Sequence, residues 1–244
     1  MSKPFKFKQF TIEQDRCAMK IGTDGVLLGA WTALQENTYN ILDIGSGTGI
    51  ITLMLAQRSN AENIEAIELD DDAFEQCTEN FENSPWGDRL FCFHAGFDEF
   101  VDEYTEVTPD ESELYQLIVS NPPFYTEEVS SGDTARDTAR QNTSLPFTKL
   151  IEGVSKLLTK EGSFSTIIPF KEEENFIALA ATFNLFPKRI TQVKGTAESP
   201  TKRSLLEFTF SKEKATLNEL VIEKERHQYT NDYIALTKDF YLKM

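Results

Sequence analysis

The chain has 244 residues, 40% of them hydrophobic, enough for one sizeable core, so a single domain is expected. No apolar run approaches the ~18 residues that span a bilayer, and the basic start "MSKPFKFKQF" lacks the apolar stretch of a secretory signal, so a soluble cytoplasmic protein is expected. The formal charge of −16 argues against nucleic acid when taken whole, and three scattered cysteines (Cys17, Cys77, Cys92) with two histidines suggest neither a disulfide framework nor a metal site.

The charge is uneven. Residues 98–113 hold eight acidic side chains and no basic ones. Between Phe186 and Lys214 there are seven basic residues against three acidic, and between Met1 and Lys20 five against two. A local basic face on an acidic protein is one reading of this pattern, and ordinary solvated faces are the other.

In chain order, "NILDIG" (40–45) reads as a short buried strand and "TGIITLMLAQRSN" as an apolar helix. "NIEAIELD" (63–70) is a second strand. The helix after it places Phe74, Cys77, Thr78 and Phe81 on one buried stripe. "RLFCFHAG" is a third strand, "VDEYTEVTPDESEL" an acidic connection and "YQLIVS" (115–120) a fourth strand. "LPFTKLIEGVSKLLTKEG" is helical, with Gly162 as its C-terminal glycine. "SFSTIIPF" is a fifth strand, "KEEENFIALAATFN" a helix, and "RITQVK" and "RSLLEFTF" a final strand pair. This alternation predicts an α/β fold: a doubly wound, mostly parallel seven-stranded sheet with an antiparallel C-terminal strand. Within one domain, residues 1–38 read as an N-terminal extension and 39–244 as the core.

Two strand ends carry chemistry. "LDIGSGTG" sets Gly45, Gly47 and Gly49 between a strand and a helix, with Asp43 just before them. Glycine tolerates positive φ and lets a ligand approach the backbone. Glu68 ends the next strand, where a carboxylate commonly binds ribose hydroxyls. The spacing is G-x-G-x-G, and Ile50 stands where a dinucleotide fingerprint wants glycine or alanine. A purely structural turn is the alternative. The fourth strand stops at Ser120, because neither proline of Asn121-Pro122-Pro123-Phe124 has an N–H for a ladder. The Asn121 amide oxygen and the Pro122 carbonyl can each accept a hydrogen bond from an amine, and Phe124 offers a face for stacking a base. A Pro-Pro turn plugged by Phe124 is the plain reading of the tetrapeptide alone.

The glycine loop resembles motif I of the S-adenosylmethionine-dependent methyltransferases, and the tetrapeptide resembles the (D/N/S)PP(Y/F/W) motif of the amino-methyltransferases. "QDRCAMKIGTDGVLLGAW" (14–31) and "YTNDYIALTKDFYLKM" (229–244) are similar to the corresponding segments of the bacterial tRNA1(Val) (adenine-37-N6)-methyltransferases. The resemblance implies S-adenosyl-L-methionine as cofactor, tRNA1(Val) as substrate and no obligate protein partner or membrane. It implies that Thr23 closes over the methionine part, Asp43, Gly45 and Gly47 line the loop, Glu68 holds the ribose, and Asn121 to Phe124 bind the adenine. Thr23 or Asp24 also reads as a helix N-cap. Near the cofactor adenine, Gly96, Phe97 and Asp98 stay open as alternatives. Arg136 and Arg140 reach phosphates or are solvated. Rival substrates are another RNA, DNA, or a release-factor glutamine. The last family carries a helical N-terminal domain, for which the ~40 residues before the glycine loop leave no room. A catalytically silent cofactor- or RNA-binding module is the reading from a different class.

Overall fold

The computed structural model describes residues 3–106, 110–123 and 145–244. A two-stranded hairpin, β1 (Phe5–Lys6) and β2 (Thr11–Ile12), precedes α1 (Thr23–Trp31). There follow β3 (Asn40–Ile44), α2 (Ile50–Arg58), β4 (Asn63–Glu68), α3 (Asp71–Glu82), β5 (Leu90–His94), α4 (Phe97–Glu106) and β6 (Tyr115–Ser120). After residue 145 come α5 (Phe147–Leu157), β7 (Leu158–Pro169), α6 (Glu173–Thr182), β8 (Phe186–Lys194) and β9 (Thr201–Thr209). The chain ends with β10 (Thr216–Val221), the short pair β11 (Glu223–Glu225) and β12 (Gln228–Tyr229), and α7 (Asn231–Thr237).

The main sheet runs β10-β8-β9-β7-β6-β3-β4-β5. All its pairings are parallel except those of β9, which runs antiparallel to both β7 and β8. The doubly wound, mostly parallel sheet and its antiparallel C-terminal strand are therefore as expected. An eighth strand, β10, extends the edge beyond β8. It had no legible signal, because only Leu220 of its six residues is buried.

The centre of the sheet is covered on both faces, and its residues sort by strand alternation. Ile41, Leu117 and Val119 join the core under α1, α2 and α3. Leu42, Ile44 and Ile118 join the core under α4, α5 and α6. The first of these cores also holds Phe7, Phe10 and Ile12 from the N-terminus with Tyr233 and Phe240 from the C-terminus. The two ends are stitched by a Phe7–Tyr241 bridge and by the Lys8 N–H donating to the Phe240 carbonyl at 2.8 Å.

Several local expectations change. The stretch read as an acidic connection begins within α4, where Phe97, Phe100, Val101 and Tyr104 form an apolar stripe under the acidic face. Its early carboxylates, Asp98 and Glu99, suit the positive end of a helix dipole. Gly162 does not terminate α5. The helix ends at Leu157, and β7 bulges between the Tyr115↔Leu158 and Leu117↔Ser163 pairs. Gly162 lies in that bulge, where a Cβ would come within 2.8 Å of Leu158. The cap of α1 is Gly22, with no side-chain cap. Asp24 instead accepts from Arg203 Nε at 2.8 Å. The buried face of α3 is Ala73, Gln76, Cys77, Asn80 and Phe81, so Phe74 is displaced to the rim, stacked on His94. No helix among the described residues is long and apolar enough to cross a membrane.

Helix α5 meets α4 at Gly153, where a built Cβ would lie 2.4 Å from the buried Phe97 ring and 2.9 Å from Val101. Overpacking of this kind costs ~1–3 kcal/mol, more than the ~1 kcal/mol that alanine gains in helix propensity. Gly153→Ala is expected to lower the urea midpoint, with an unchanged denaturant slope.

Candidate active site

Strand β3 is the turning point of the sheet. The chain proceeds from it to β4 and β5 on one side and then crosses back to β6 on the other, and ligands bind at such switch points, at the carboxyl ends of the strands. The register pairs Ile44 with Ser120, and the Ser120 hydroxyl donates to the Ile44 carbonyl at 2.9 Å. One residue further on each strand come Gly45 and Asn121. The two motifs, 76 residues apart in sequence (121 minus 45), thus leave the sheet side by side.

The glycine loop has left-handed backbone at all three glycines, with φ of 73° at Gly45, 55° at Gly47 and 78° at Gly49. The three differ in what surrounds them. A Cβ on Gly49 would strike Phe81 at 2.6 Å and Cys77 at 2.9 Å, so this glycine is required by packing against α3. A Cβ on Gly45 or Gly47 would meet no protein atom within 4 Å. Space is open beside those two residues, next to the N-terminus of α2.

Glu68 anchors this loop. Its Oε2 accepts from the Gly47 N–H at 2.7 Å, and its Oε1 accepts from the N–H groups of Leu69 at 2.9 Å and Asp70 at 3.0 Å. A carboxylate has about four acceptor positions. Three are taken by the backbone, which fixes the group and leaves capacity for a further donor such as a hydroxyl. Open space at two positive-φ glycines, with an ordered carboxylate beside them, fits the cofactor implied by the loop motif.

Asp43 lies beneath the loop, 0% exposed. Its Oδ2 accepts from the Thr52 hydroxyl at 2.8 Å and the Thr52 N–H at 3.2 Å, while Oδ1 is buried without a hydrogen-bond partner. Burial pushes the carboxyl up to about 7. The Thr52 hydrogen bonds oppose the shift and the charge of Glu68 adds to it.

Thr23 is exposed in the first turn of α1, beside the free N-cap Gly22. This helix end is brought to the loop by close helix packing. A Cβ on Gly25 would stand 3.1 Å from Ile50, the first residue of α2, and one on Gly29 would stand 2.8 Å from Met54. Asn121 and Pro123 are half-exposed and Pro122 is buried. Phe124, Arg136 and Arg140 lie outside the described residues. At the end of β5, the Ala95 N–H donates to the Glu68 carbonyl at 3.2 Å, which sets Gly96 beside Leu69. Phe97 is buried in the core, and Asp98 is ion-paired with Lys149 on α5. His94 is a surface group that stacks on Phe74 and lies near Asp71.

Five of the twelve basic residues in the two basic stretches are ion-paired within the protein. Lys188 and Arg189 both pair with the buried Glu207, Lys194 with Glu219, and Arg203 with Asp24. Arg16 pairs with Glu75 and Glu79. Sequence reading also passed over Gln76 and Asn80, which hold the N-terminal segment against α3 and the loop. Two amides four residues apart on a helix face that is otherwise apolar were the available signal.

The Asp43 carboxyl has a consequence for stability. Its folded value is raised above the ordinary 3.8, so folding takes up a proton between pH 3.8 and about 7, and this group's contribution to stability falls as pH rises through that window. Asp43→Asn removes the effect. Urea denaturation at a series of pH values is expected to show the variant gaining on the wild type from about pH 4 to about pH 7. A pH-independent difference would mean that the buried carboxyl is already ionised at low pH.

The methyltransferase small domain family matches residues 22–184. The chain is 57% identical to the tRNA1(Val) (adenine(37)-N6)-methyltransferase of Christiangramia forsetii, over 100% of this chain and 99% of that one. It is 44% identical to the protein of the same name from Bacteroides fragilis, over the whole of both chains. Among solved structures, a predicted O-methyltransferase from Agrobacterium tumefaciens is similar with a TM-score of 0.69 at 19% identity, covering 89% of this chain and 96% of that one. A geranyl diphosphate C-methyltransferase from Streptomyces coelicolor, crystallised with S-adenosyl-L-homocysteine, is similar with a TM-score of 0.52 at 11% identity, covering 77% and 76%. These two likenesses establish the class I methyltransferase fold. End-to-end identity to relatives of one name, on that fold and with both motifs at one sheet edge, shows that the chain belongs to the tRNA1(Val) (adenine(37)-N6)-methyltransferase family.

Proposed function

We propose that this enzyme transfers a methyl group from S-adenosyl-L-methionine to N6 of adenine 37 in the anticodon loop of tRNA1(Val). The observation that carries the reading is the β3–β6 pairing, which sets the open glycine loop beside Asn121-Pro122. The cofactor supplies an electrophilic sulfonium methyl. The chain's residues bind, orient and polarise.

In this reading Gly45 and Gly47 leave the backbone open to the cofactor, and Gly49 holds the loop onto α3. The remaining acceptor capacity of Glu68 takes the ribose hydroxyls, and Asp43 supports the loop from beneath through Thr52. The N-terminus of α1 at Thr23 faces the methionine carboxylate, a charge that suits a helix start. The stretch 96–98, which follows the Ala95 N–H bond to the Glu68 carbonyl, is assigned to the cofactor adenine.

At the other strand end, the aryl amine is a weak nucleophile because its lone pair is delocalised into the ring. The Asn121 amide oxygen and the Pro122 carbonyl each accept one of its N–H bonds, which draws the nitrogen toward tetrahedral geometry and frees the lone pair. The two prolines hold both acceptors in place, so the catalysis is preorganisation and requires no strong base. Phe124 stacks on the adenine, while Arg136 and Arg140 reach phosphates. An anticodon loop presents unpaired bases, so extruding one costs less than from a duplex. Residues 1–38 act as a closing extension on the core of 39–244. The reaction needs no protein partner and takes place in the cytoplasm.

The test is methyl transfer from labelled S-adenosyl-L-methionine. Unmodified tRNA1(Val), other tRNAs, ribosomal RNA, duplex DNA and a release factor are offered in parallel, and labelled nucleic acid is digested to nucleosides. Label in N6-methyladenosine from tRNA1(Val) alone is expected. Label confined to the release factor would leave the amine site standing and overturn the substrate. Asn121→Ala is expected to lower kcat by about 10²–10³, the range for loss of one preorganised hydrogen-bonding group, with cofactor affinity unchanged. Glu68→Ala is expected to weaken S-adenosyl-L-homocysteine binding about tenfold or more in calorimetry, as for loss of hydrogen bonds to a charged group.

A further inference from the structure

Two buried amides on α3 do more than fill its inner face. Gln76 is 1% exposed and Asn80 2%, four residues apart on one stripe of the helix. Polar side chains at such positions lose stability unless their hydrogen bonds are made. Here they are made mostly to residues 13–16 of the N-terminal segment, with one to the glycine loop. Asn80 Oδ1 accepts from the Glu13 N–H at 2.9 Å, and Asn80 Nδ2 donates to the Glu13 carbonyl at 2.9 Å, as a neighbouring strand would. Nδ2 also donates to the Thr48 carbonyl, inside the glycine loop, at 2.9 Å. Gln76 Oε1 accepts from the Arg16 N–H at 2.8 Å, and its Nε2 donates to Asp15 Oδ1 at 3.3 Å.

One amide group therefore touches both the N-terminal segment and the loop. The next residues continue toward Glu68. Cys17 is buried, and its thiol is pushed up to about 11, by burial first and then by the charge of Glu68. Lys20 ties back to the carbonyls of Gln14 and Cys17, and the Ile21 N–H donates to Gln14 Oε1 at 3.0 Å. The chain then enters α1 at Thr23. A leucine at position 76 or 80 would fill much the same space, but it would make none of these backbone contacts.

We infer that Asn80, seconded by Gln76, is a positioning residue that registers residues 13–22 onto the glycine loop, so that ordering of this segment and cofactor binding are coupled. The inference rests on the reading that residues 45–49 hold S-adenosyl-L-methionine. Asn80 acts through the segment and the loop and does not touch the reacting atoms. The coupling is reciprocal: cofactor binding protects the segment, and a loosened segment weakens the cofactor.

The test uses the full chain with Asn80→Leu, Asn80→Asp and Gln76→Leu. Asn80→Asp keeps the acceptor for Glu13 N–H but loses both donated bonds. Calorimetry with S-adenosyl-L-homocysteine and hydrogen exchange over residues 13–22 are read side by side. Both Asn80 variants are expected to bind about tenfold more weakly, the scale of one buried group left unpaired. Their KM for S-adenosyl-L-methionine rises to match, while kcat at saturation stays within about twofold. Exchange over residues 13–22 is faster in the variants, and the slowing that S-adenosyl-L-homocysteine produces in the wild type is lost. Gln76→Leu is expected to show the same two effects more weakly, and it carries the test if Asn80 variants do not fold. Folded variants with a lowered Tm but wild-type affinity and wild-type exchange over residues 13–22 would overturn the inference and leave only a packing role. A wild-type protein that bound no S-adenosyl-L-homocysteine would instead defeat the reading of the glycine loop.

Discussion

The site depends on the parallel pairing of β3 with β6. That pairing joins strands that are distant in sequence and stops at Ile44 and Ser120, because Gly45 follows one strand and Asn121-Pro122-Pro123 the other. The Ser120 hydroxyl then closes the join on the Ile44 carbonyl. A shift of register by one residue would turn every side chain of β6 to the opposite face. Leu117 and Val119 would exchange cores with Ile118, which both packed layers oppose. The relative position of the glycine loop and the Asn-Pro-Pro segment is thus held by the burial of side chains that take no part in the chemistry.

Around that join the protein uses polar groups to set backbone. Glu68 collects three N–H groups and Asn80 bridges two segments. Asp43 holds the start of α2 through Thr52. The Gly47–Glu68, Asn80 and Thr52–Asp43 bonds lie in a partly or wholly dry setting, where the bond is strong and its loss is expensive, while the Leu69 and Asp70 bonds to Glu68 are exposed. The basic side chains follow a different logic. Four of the seven between Phe186 and Lys214 are paired with carboxylates, two of them on the buried Glu207. Their positive charge serves the β8–β9 hairpin and its contacts with β10 and α1. Trp31 shows the same economy, since it stacks under the Arg189 guanidinium and donates its indole N–H to Thr191.

The N-terminal residues belong to the same body. The first core cluster gathers side chains from Phe7 to Phe240, and α1 is drawn onto α2 by Gly25 and Gly29, which allow the two helices to approach closely. The helix end at Thr23 therefore has a position fixed by packing and can serve as part of a site, though residues 13–22 before it are held mainly by hydrogen bonds to side chains.

The sequence by itself determined the alternation of strands and helices, the strand ends at Glu68 and Ser120, and the glycines at 45, 47 and 49. These follow from local physics: hydrophobic period, a proline that cannot pair, and backbone angles that only glycine takes easily. It also carried the α4 stripe of Phe97, Phe100, Val101 and Tyr104, which its acidic composition masked. Only the tertiary structure decided the rest. It gave Gly49 to packing and left Gly45 and Gly47 open. It turned the face of α3 toward Gln76 and Asn80 in place of Phe74. It made an edge strand of residues 216–221, and it paired four of the seven basic residues between Phe186 and Lys214 with carboxylates. In each case the outcome hangs on a partner far along the chain, and neither residue type nor local periodicity specifies where such a partner will stand.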